Sequence, residues 1–317
     1  MPTAGLSMIL HADGEPNLLT WTDRPVNAVA GKWDTNASFA VVSSKWIITT
    51  RHQNSCPATV NINGINYKCI YNSQWVGGPT GLVDIRLIRL KNADDSDPNL
   101  AYAPPYTDGN EVNQNICIGG YGKYRGNTLY SHGQGYGYLW AGSCNTLRWG
   151  QNIINGTGVS QYVGSYYSDT LDADFDLNGR DYEAAPAMYD SGGGWFIKQN
   201  GIWKLAALSA SVERVNQTWF DDPNTENIDP DNFWGIRVSS YAAWINKIIT
   251  DDCPAGDIDG NCKVDMFDVV QLTDWWLHTN CASGNSFCQW ADIQPDGKVN
   301  MLDWAILAEN WFEDKSQ

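Results

Sequence analysis

From about Asn36 to Leu208 the chain runs as short apolar stretches cut by Gly, Asn and Pro turns. The runs SFAVVSSKWIITT (38–50), LVDIRLIRL (82–90), NICIGGYG (115–122), GGGWFI (192–197) and IWKLAALSA (202–210) are rich in β-branched and aromatic residues, the composition of half- or fully buried strands. Helical spacing is almost absent there, so the pattern predicts an all-β sandwich or barrel. It changes at VSSYAAWINKII (238–249), where Tyr241, Ile245 and Ile248 fall on one helical face behind a serine cap. That helix closes a first domain over 30–250 and leaves 1–29 as an N-terminal extension.

A Pro/Gly/Asp boundary, TDDCPAGD, follows and makes 251–256 a linker. Beyond it the chain repeats itself. DIDGNCKVDMFDVVQLTDWWL from Asp257 aligns without a gap on DIQPDGKVNMLDWAILAENWF from Asp292, which points to a tandem duplication over 257–317. Each copy ends in a helical stripe: Val269, Leu272 and Trp276 in the first, Trp304, Leu307 and Trp311 in the second. One short helix cannot bury such a stripe alone, so the two must pack together, with metal or disulfides supplying the remaining stability.

Length and charge narrow the function. With 317 residues there is room for one large domain and one small one. A net charge of -16 argues against a nucleic-acid or anionic-membrane partner and for a protein that holds cations. No stretch has the length of a membrane span, and GLSMIL near the start is too short for a signal-peptide core. The expectation is a secreted or cell-surface protein whose export signal has been removed. Four cysteines lie between Cys56 and Cys144 and four between Cys253 and Cys288, with no Cys-x-x-Cys pair; this favours structural disulfides over zinc. The 16 tryptophans raise a carbohydrate-binding surface as one reading, but they are spread through both domains and core packing accounts for them better.

The stretch MYDSGGGWF (188–196) places a serine between an acid and three glycines. Turn chemistry needs one glycine, rarely three. A serine nucleophile needs a base, and the base an orienting acid. Of four histidines only His52 ends an apolar strand, and Asp84 puts a carboxylate into the otherwise apolar LVDIRLIRL, a costly place for a charge without a hydrogen-bonded partner. IITTRH, DIRLIRL and DSGG in that order, with GIRVSSYAAWINKII at the end, resemble the trypsin-like (chymotrypsin-fold) serine proteases over roughly Ala30 to Ile249.

The resemblance implies a double β-barrel with the site between the barrels. It makes His52 the general base, Asp84 its orienting acid and Ser191 the nucleophile of an acyl-enzyme. The backbone amides of Tyr189 and Ser191 become the oxyanion hole, with Tyr189 standing where the family has glycine. Ala185, Ser209 and Ser211 fall at the specificity pocket, which favours a small or apolar side chain before the scissile bond. No Ile-Val-Gly-Gly-like start follows a basic residue, so Asp190 is expected to use an internal partner in place of a newly cut N-terminus.

Oxygen donors at loop positions 1, 3, 5, 7, 9 and 12 describe an EF-hand-type calcium loop. The first copy offers Asp257, Asp259, Asn261, the Lys263 carbonyl, Asp265 and Asp268; the second offers Asp292, Gln294, Asp296, the Lys298 carbonyl, Asn300 and Asp303. Two calcium sites are expected. The doubled loop and helix resembles a type I dockerin, which implies a cohesin-like docking partner, and Cys262 stands where the loop glycine is usual. A further acidic run, DADFDLNGRDYE from Asp172, is read as a solvated loop near the cleft. The whole predicts a secreted serine endopeptidase with a polypeptide substrate, tethered by a small α-helical calcium-binding module. An inactive protease fold kept as a cell-surface binding or structural protein is the alternative.

Overall fold

The computed structural model describes residues 8–11, 21–33, 37–53, 57–69, 75–78, 82–142, 146–163, 166–249, 254–258, 263–281, 286–294 and 296–314. A short strand β1 (Ile9–Leu10) comes first. It is followed by β2 (Ala30–Trp33), β3 (Ala37–Val41), β4 (Trp46–Thr49), β5 (Thr59–Ile62), β6 (Ile65–Cys69), β7 (Trp75–Gly77) and β8 (Arg86–Lys91). These pair in the order β4-β3-β2-β5-β6-β8, and β8 returns to β4, Ile47 opposite Ile88, so six strands close a barrel with β7 added on β8. Alternate residues of its strands face two cores. Phe39, Val41, Ile47, Ile88 and Leu90 fill the barrel, while Ala40, Val42, Ile48 and Leu87 face outward into a layer shared with Trp149, Phe196, Leu208 and Ile245. Burial on both faces is why these strands read as unbroken apolar runs.

The chain continues through β9 (Asn115–Gly120), a long hairpin β10 (Tyr124–Ser131) and β11 (Gln134–Ala141), then β12 (Arg148–Ile153), β13 (Gly156–Val163) and β14 (Tyr166–Asp174). After β15 (Ala184–Ala185) come β16 (Gly194–Gln199), β17 (Ile202–Val212), β18 (Gln217–Trp219) and β19 (Asn232–Arg237). The second sheet, β12-β9-β16-β17-β19-β14-β13, does not close among the described residues and forms a half-barrel. The expected double barrel is thus one closed barrel and one open one. The hairpin pairs with β18 in a separate three-stranded sheet, and β1 pairs with β15.

Part of the segment expected as an N-terminal extension is packed into the fold. Met8, Ile9 and Leu10 are at most 3% exposed and belong to the core of the second half, with Phe175, Trp195 and Phe233. Helix α1 (Ala242–Ile249) buries Ile245 as its spacing predicts, entering through a 3-10 turn with no side-chain cap. The serine expected there, Ser239, donates to the buried Glu111 carboxylate, which also forms a two-pronged ion pair with Arg237 at 2.7 and 3.1 Å.

In the C-terminal part, α2 (Met266–Asp274) and α4 (Met301–Glu309) bury Leu272 and Leu307 in one small core, with the short α3 (Ser286–Gln289) between them in sequence. Val269, Trp276, Trp304 and Trp311 pack against that core, as the doubled stripe requires. A disulfide joins Cys281 to Cys288.

Candidate functional site

β4 ends at Thr49 and the chain turns, so His52 sits just past the strand; Asp84 lies in the bend before β8 rather than inside it. Because β4 and β8 are neighbours, these two ends meet. Asp84 is 1% exposed and holds His52 twice: Oδ1 accepts from the His52 backbone N–H at 2.7 Å, and Oδ2 lies 2.5 Å from Nδ1. The Asp84 N–H donates to Ser168 Oγ at 3.0 Å. A carboxylate fixed in this way keeps the ring proton on Nδ1 and leaves the Nε2 lone pair as the acceptor. The Gln53 side-chain amide stands 3.0 Å from Nε2, so in this arrangement Gln53 donates to the base.

Ser191 belongs to the other half, in the turn between β15 and β16. Ser38, fully buried on β3, joins the two halves. Its N–H donates to the Ser191 carbonyl at 2.9 Å, its hydroxyl donates to the Tyr189 carbonyl at 3.3 Å and accepts from Tyr121 N–H at 3.0 Å. Its own carbonyl accepts from Thr49 Oγ1 at 2.7 Å, three residues before His52. Sequence reasoning missed Ser38; the signal was a polar residue opening the apolar run 38–42. Gly192 (φ +82) packs so closely on this joint that a Cβ would lie 2.1 Å from Thr49 Oγ1. The glycine run is therefore needed where the turn presses on the first barrel. Among the described residues Ser191 Oγ makes no hydrogen bond; the serine turn is tied to the strand end that precedes His52 through Ser38 and Thr49.

Neither the Tyr189 nor the Ser191 N–H has a partner among the described residues, whereas the neighbouring amides of Asp190, Gly192 and Gly193 are all engaged. Tyr189 adopts φ +79, the left-handed conformation that costs a residue with a side chain about 1–3 kcal/mol. The side chain thus does not keep the backbone from the conformation that glycine would take. Asp190 is buried and meets no cation among the described residues; its carboxylate accepts from Gly122 N–H at 2.7 Å and Ala187 N–H at 2.9 Å. Burial pushes its pKa up to about 7 against those two hydrogen bonds.

Beside Ser191 opens a pocket of about 140 Å³ lined by Trp140, Pro186, Ala187, Met188, Ser209, Ala210, Ser211, Val212 and Val215. Ser209 and Ser211 line it, and no charged side chain does. Ala185 does not line it: Ala185 is paired with Ile9 and buried in the core, one step before the pocket wall. Trp140 enters from the β10–β11 hairpin, a contribution that no local sequence pattern announces.

The acidic run from Asp172 is placed differently from expectation. Its first residues finish β14, and Gly179, Arg180 and Asp181 line a separate polar pocket of about 470 Å³ with Asn152, Lys198 and Trp203. Glu183, at its end, is buried, and burial raises its carboxyl to about 8, with Asp176 and Asp174 nearby adding to the shift. Cys117 also departs from the disulfide expectation: it is a buried free thiol, pushed up to about 12 by burial. Cys56, Cys144, Cys253 and Cys262 lie outside the described residues.

In the C-terminal part, Asp265 and Asp268 form a capping box on α2, and Asn300 and Asp303 form the same box on α4. Asp268 and Asp303 are fully buried. Asp303 accepts from Gln294 and Asn300 N–H, both at 2.8 Å, and Asp292 accepts from Asp296 and Gly297 N–H. Burial raises the Asp292 carboxyl, and the carboxylates of Asp303 and Asp296 raise it further. Neither Asp292 nor Asp303 pairs with a cationic side chain among the described residues. Lys263 and Lys298, expected to offer carbonyls, carry partly or fully exposed side chains; Asp257 is half-buried, and Asp259 and Asn261 lie outside the described residues. No three His, Cys, Asp or Glu side chains among the described residues are gathered into a metal cluster. The donor set still fits a hard cation, since Gln294, Asn300 and the Lys298 carbonyl add neutral oxygens to carboxylates that repel one another.

The dockerin type I domain matches residues 255–310. Domains of that family bind calcium and dock onto cohesins. A comparison with curated proteins gives no match to the chain. No helix among the described residues is long and apolar enough to cross a membrane.

Proposed function

We propose that the chain is a serine endopeptidase exported from the cell and tethered through its C-terminal module. The observation that carries this reading is the double hold of Asp84 on His52, together with a serine in a glycine turn beside two unengaged amides. In the proposed reaction His52 Nε2 takes the Ser191 proton as Oγ attacks the scissile carbonyl. The Tyr189 and Ser191 amides receive the developing oxyanion, each contributing about 3–4 kcal/mol. His52 then returns the proton to the leaving amine, and water releases the acyl group by the reverse sequence. The uncharged pocket beside Ser191 suits an apolar side chain such as Leu, Met or Phe before the scissile bond.

The tether is proposed to hold two calcium ions, through Asp257, Asp259, Asn261, Lys263, Asp265 and Asp268 and through Asp292, Gln294, Asp296, Lys298, Asn300 and Asp303. The carboxylates and neutral oxygens of each loop would hold the ion, and its charge would offset the repulsion among the acids. Met266 and Phe267 on α2 and their repeat equivalents Met301 and Leu302 on α4 are each more than half exposed. This duplicated apolar pair is the proposed face for a cohesin-like partner.

One observation favours the rival reading of an inactive binding protein: the Gln53 amide sits on the lone pair the mechanism needs. Cleavage of a casein or peptide-library substrate, abolished in Ser191→Ala, tests the choice. A folded, calcium-loaded chain without any cleavage would leave the binding protein.

A further inference from the structure

Two walls of the pocket beside Ser191 come from different parts of the fold, and one N-terminal segment pairs with the elements that carry both. The first wall is Pro186 to Met188, the direct continuation of β15. There Ile9 pairs with Ala185 and Leu10 with Ala184, and the His11 N–H donates to the Glu183 carbonyl at 2.9 Å. The second wall is Trp140, on the β10–β11 hairpin. Met8 bridges to Tyr124 on that hairpin, and Arg125, which is opposite Trp140 in the ladder, donates to the His11 carbonyl at 2.7 Å. The β15 strand has only two residues, and the hairpin shares no ladder with the half-barrel among the described residues.

We propose that Met8–His11 is a positioning strap that sets the spacing of the two pocket walls and, through Ala187, the conformation of the serine turn. The link to the turn is direct: the Ala187 N–H donates to Asp190, and the Asp190 N–H donates back to the Ala187 carbonyl at 3.0 Å. Asp190 thus takes its support from backbone that the strap holds in place. As a specificity device the inference rests on the peptidase reading; as a statement about order in the pocket walls it does not.

The test is hydrogen exchange in the full chain and in a variant lacking residues 1–11, with hydrolysis of a peptide bearing Leu or Phe before the scissile bond measured alongside. The strap predicts at least tenfold faster exchange over 124–141 and 184–191, unchanged exchange in the closed barrel, and restoration of both segments by a peptide of residues 7–12 but not by its scrambled form. Hydrolysis should fall at least tenfold and recover with the same peptide dose. Wild-type exchange in both segments of the deletion variant overturns the proposal. Should the deletion prevent folding, Ile9→Ala in the full chain decides: faster exchange in the same two segments, with a raised KM, supports the strap, and unchanged exchange there overturns it. Absence of hydrolysis in the wild type would strike the peptidase reading alone, because exchange reports the strap independently.

Discussion

At the residue scale, the site turns on which hydrogen bonds exist before substrate arrives. Asp84 orients His52 from two directions, and Gln53 occupies the remaining ring nitrogen. A neutral hydrogen bond has a net worth of about 1 kcal/mol, which corresponds to roughly fivefold in a rate that requires breaking it. Gln53→Ala should therefore speed the modification of Ser191 by a phosphonylating probe about three- to tenfold. An unchanged or slower rate would show that Gln53 steadies the ring instead of competing for it. The pairing of His52 with Asp84 was legible because a carboxylate beside apolar residues needs a hydrogen-bonded partner; Ser191 was singled out as a serine among glycines. Gln53 was not, since an exposed-looking polar residue after a turn carries no signal. Ala185 was misjudged for a related reason, because one residue of register decides between core and pocket.

At the scale of elements, the serine turn is joined to the first barrel through a buried serine on β3. Ser38→Ala removes its hydroxyl bonds to Tyr121 and Tyr189 and leaves the Tyr121 amide without its acceptor. The cost should be about 1–3 kcal/mol in stability, with kcat reduced more than KM, as read by thermal melts and initial rates. Retention of wild-type kcat would mean that the serine turn is held by other contacts. The strands of the first barrel and the doubled helices were legible from their apolar patterns, because burial on two faces and on one stripe leave different periods. The half-barrel's open edge, the strap and the intrusion of the hairpin into the pocket were not, since each depends on pairing between distant segments.

At the scale of the whole molecule, charge and metal set the conditions for stability. Glu183 and Asp190 have folded-state pKa values raised to about 8 and about 7, chiefly by burial. The folded chain then binds more protons than the unfolded one between the ordinary carboxylate range and those values. Stability from these groups is complete below about pH 4 and is lost as pH rises towards 7 and 8. The melting temperature of the first domain should therefore fall from pH 5 to pH 8, and Glu183→Gln should flatten that slope; an equal or rising slope would contradict it. In the C-terminal module, the proposed calcium sites lie among buried acids, which couples metal to fold. Chelation should reduce its helical circular dichroism and expose it to proteolysis, and Asp303→Ala should weaken the calcium response at the second loop. A module indifferent to chelator would remove calcium from the account. The charge balance and repeat were plain in the sequence, but which acids are buried was not, because Asp190 and Glu183 are enclosed by backbone from elsewhere in the chain.

The central claim is that Ser191 is activated by His52, and labelling with a fluorophosphonate in calcium tests it most directly. The account predicts labelling of the wild-type chain that disappears in both Ser191→Ala and His52→Ala, with all three proteins showing the same circular dichroism. A folded wild type that takes no label, or a His52→Ala variant labelled as fast as wild type, would contradict it.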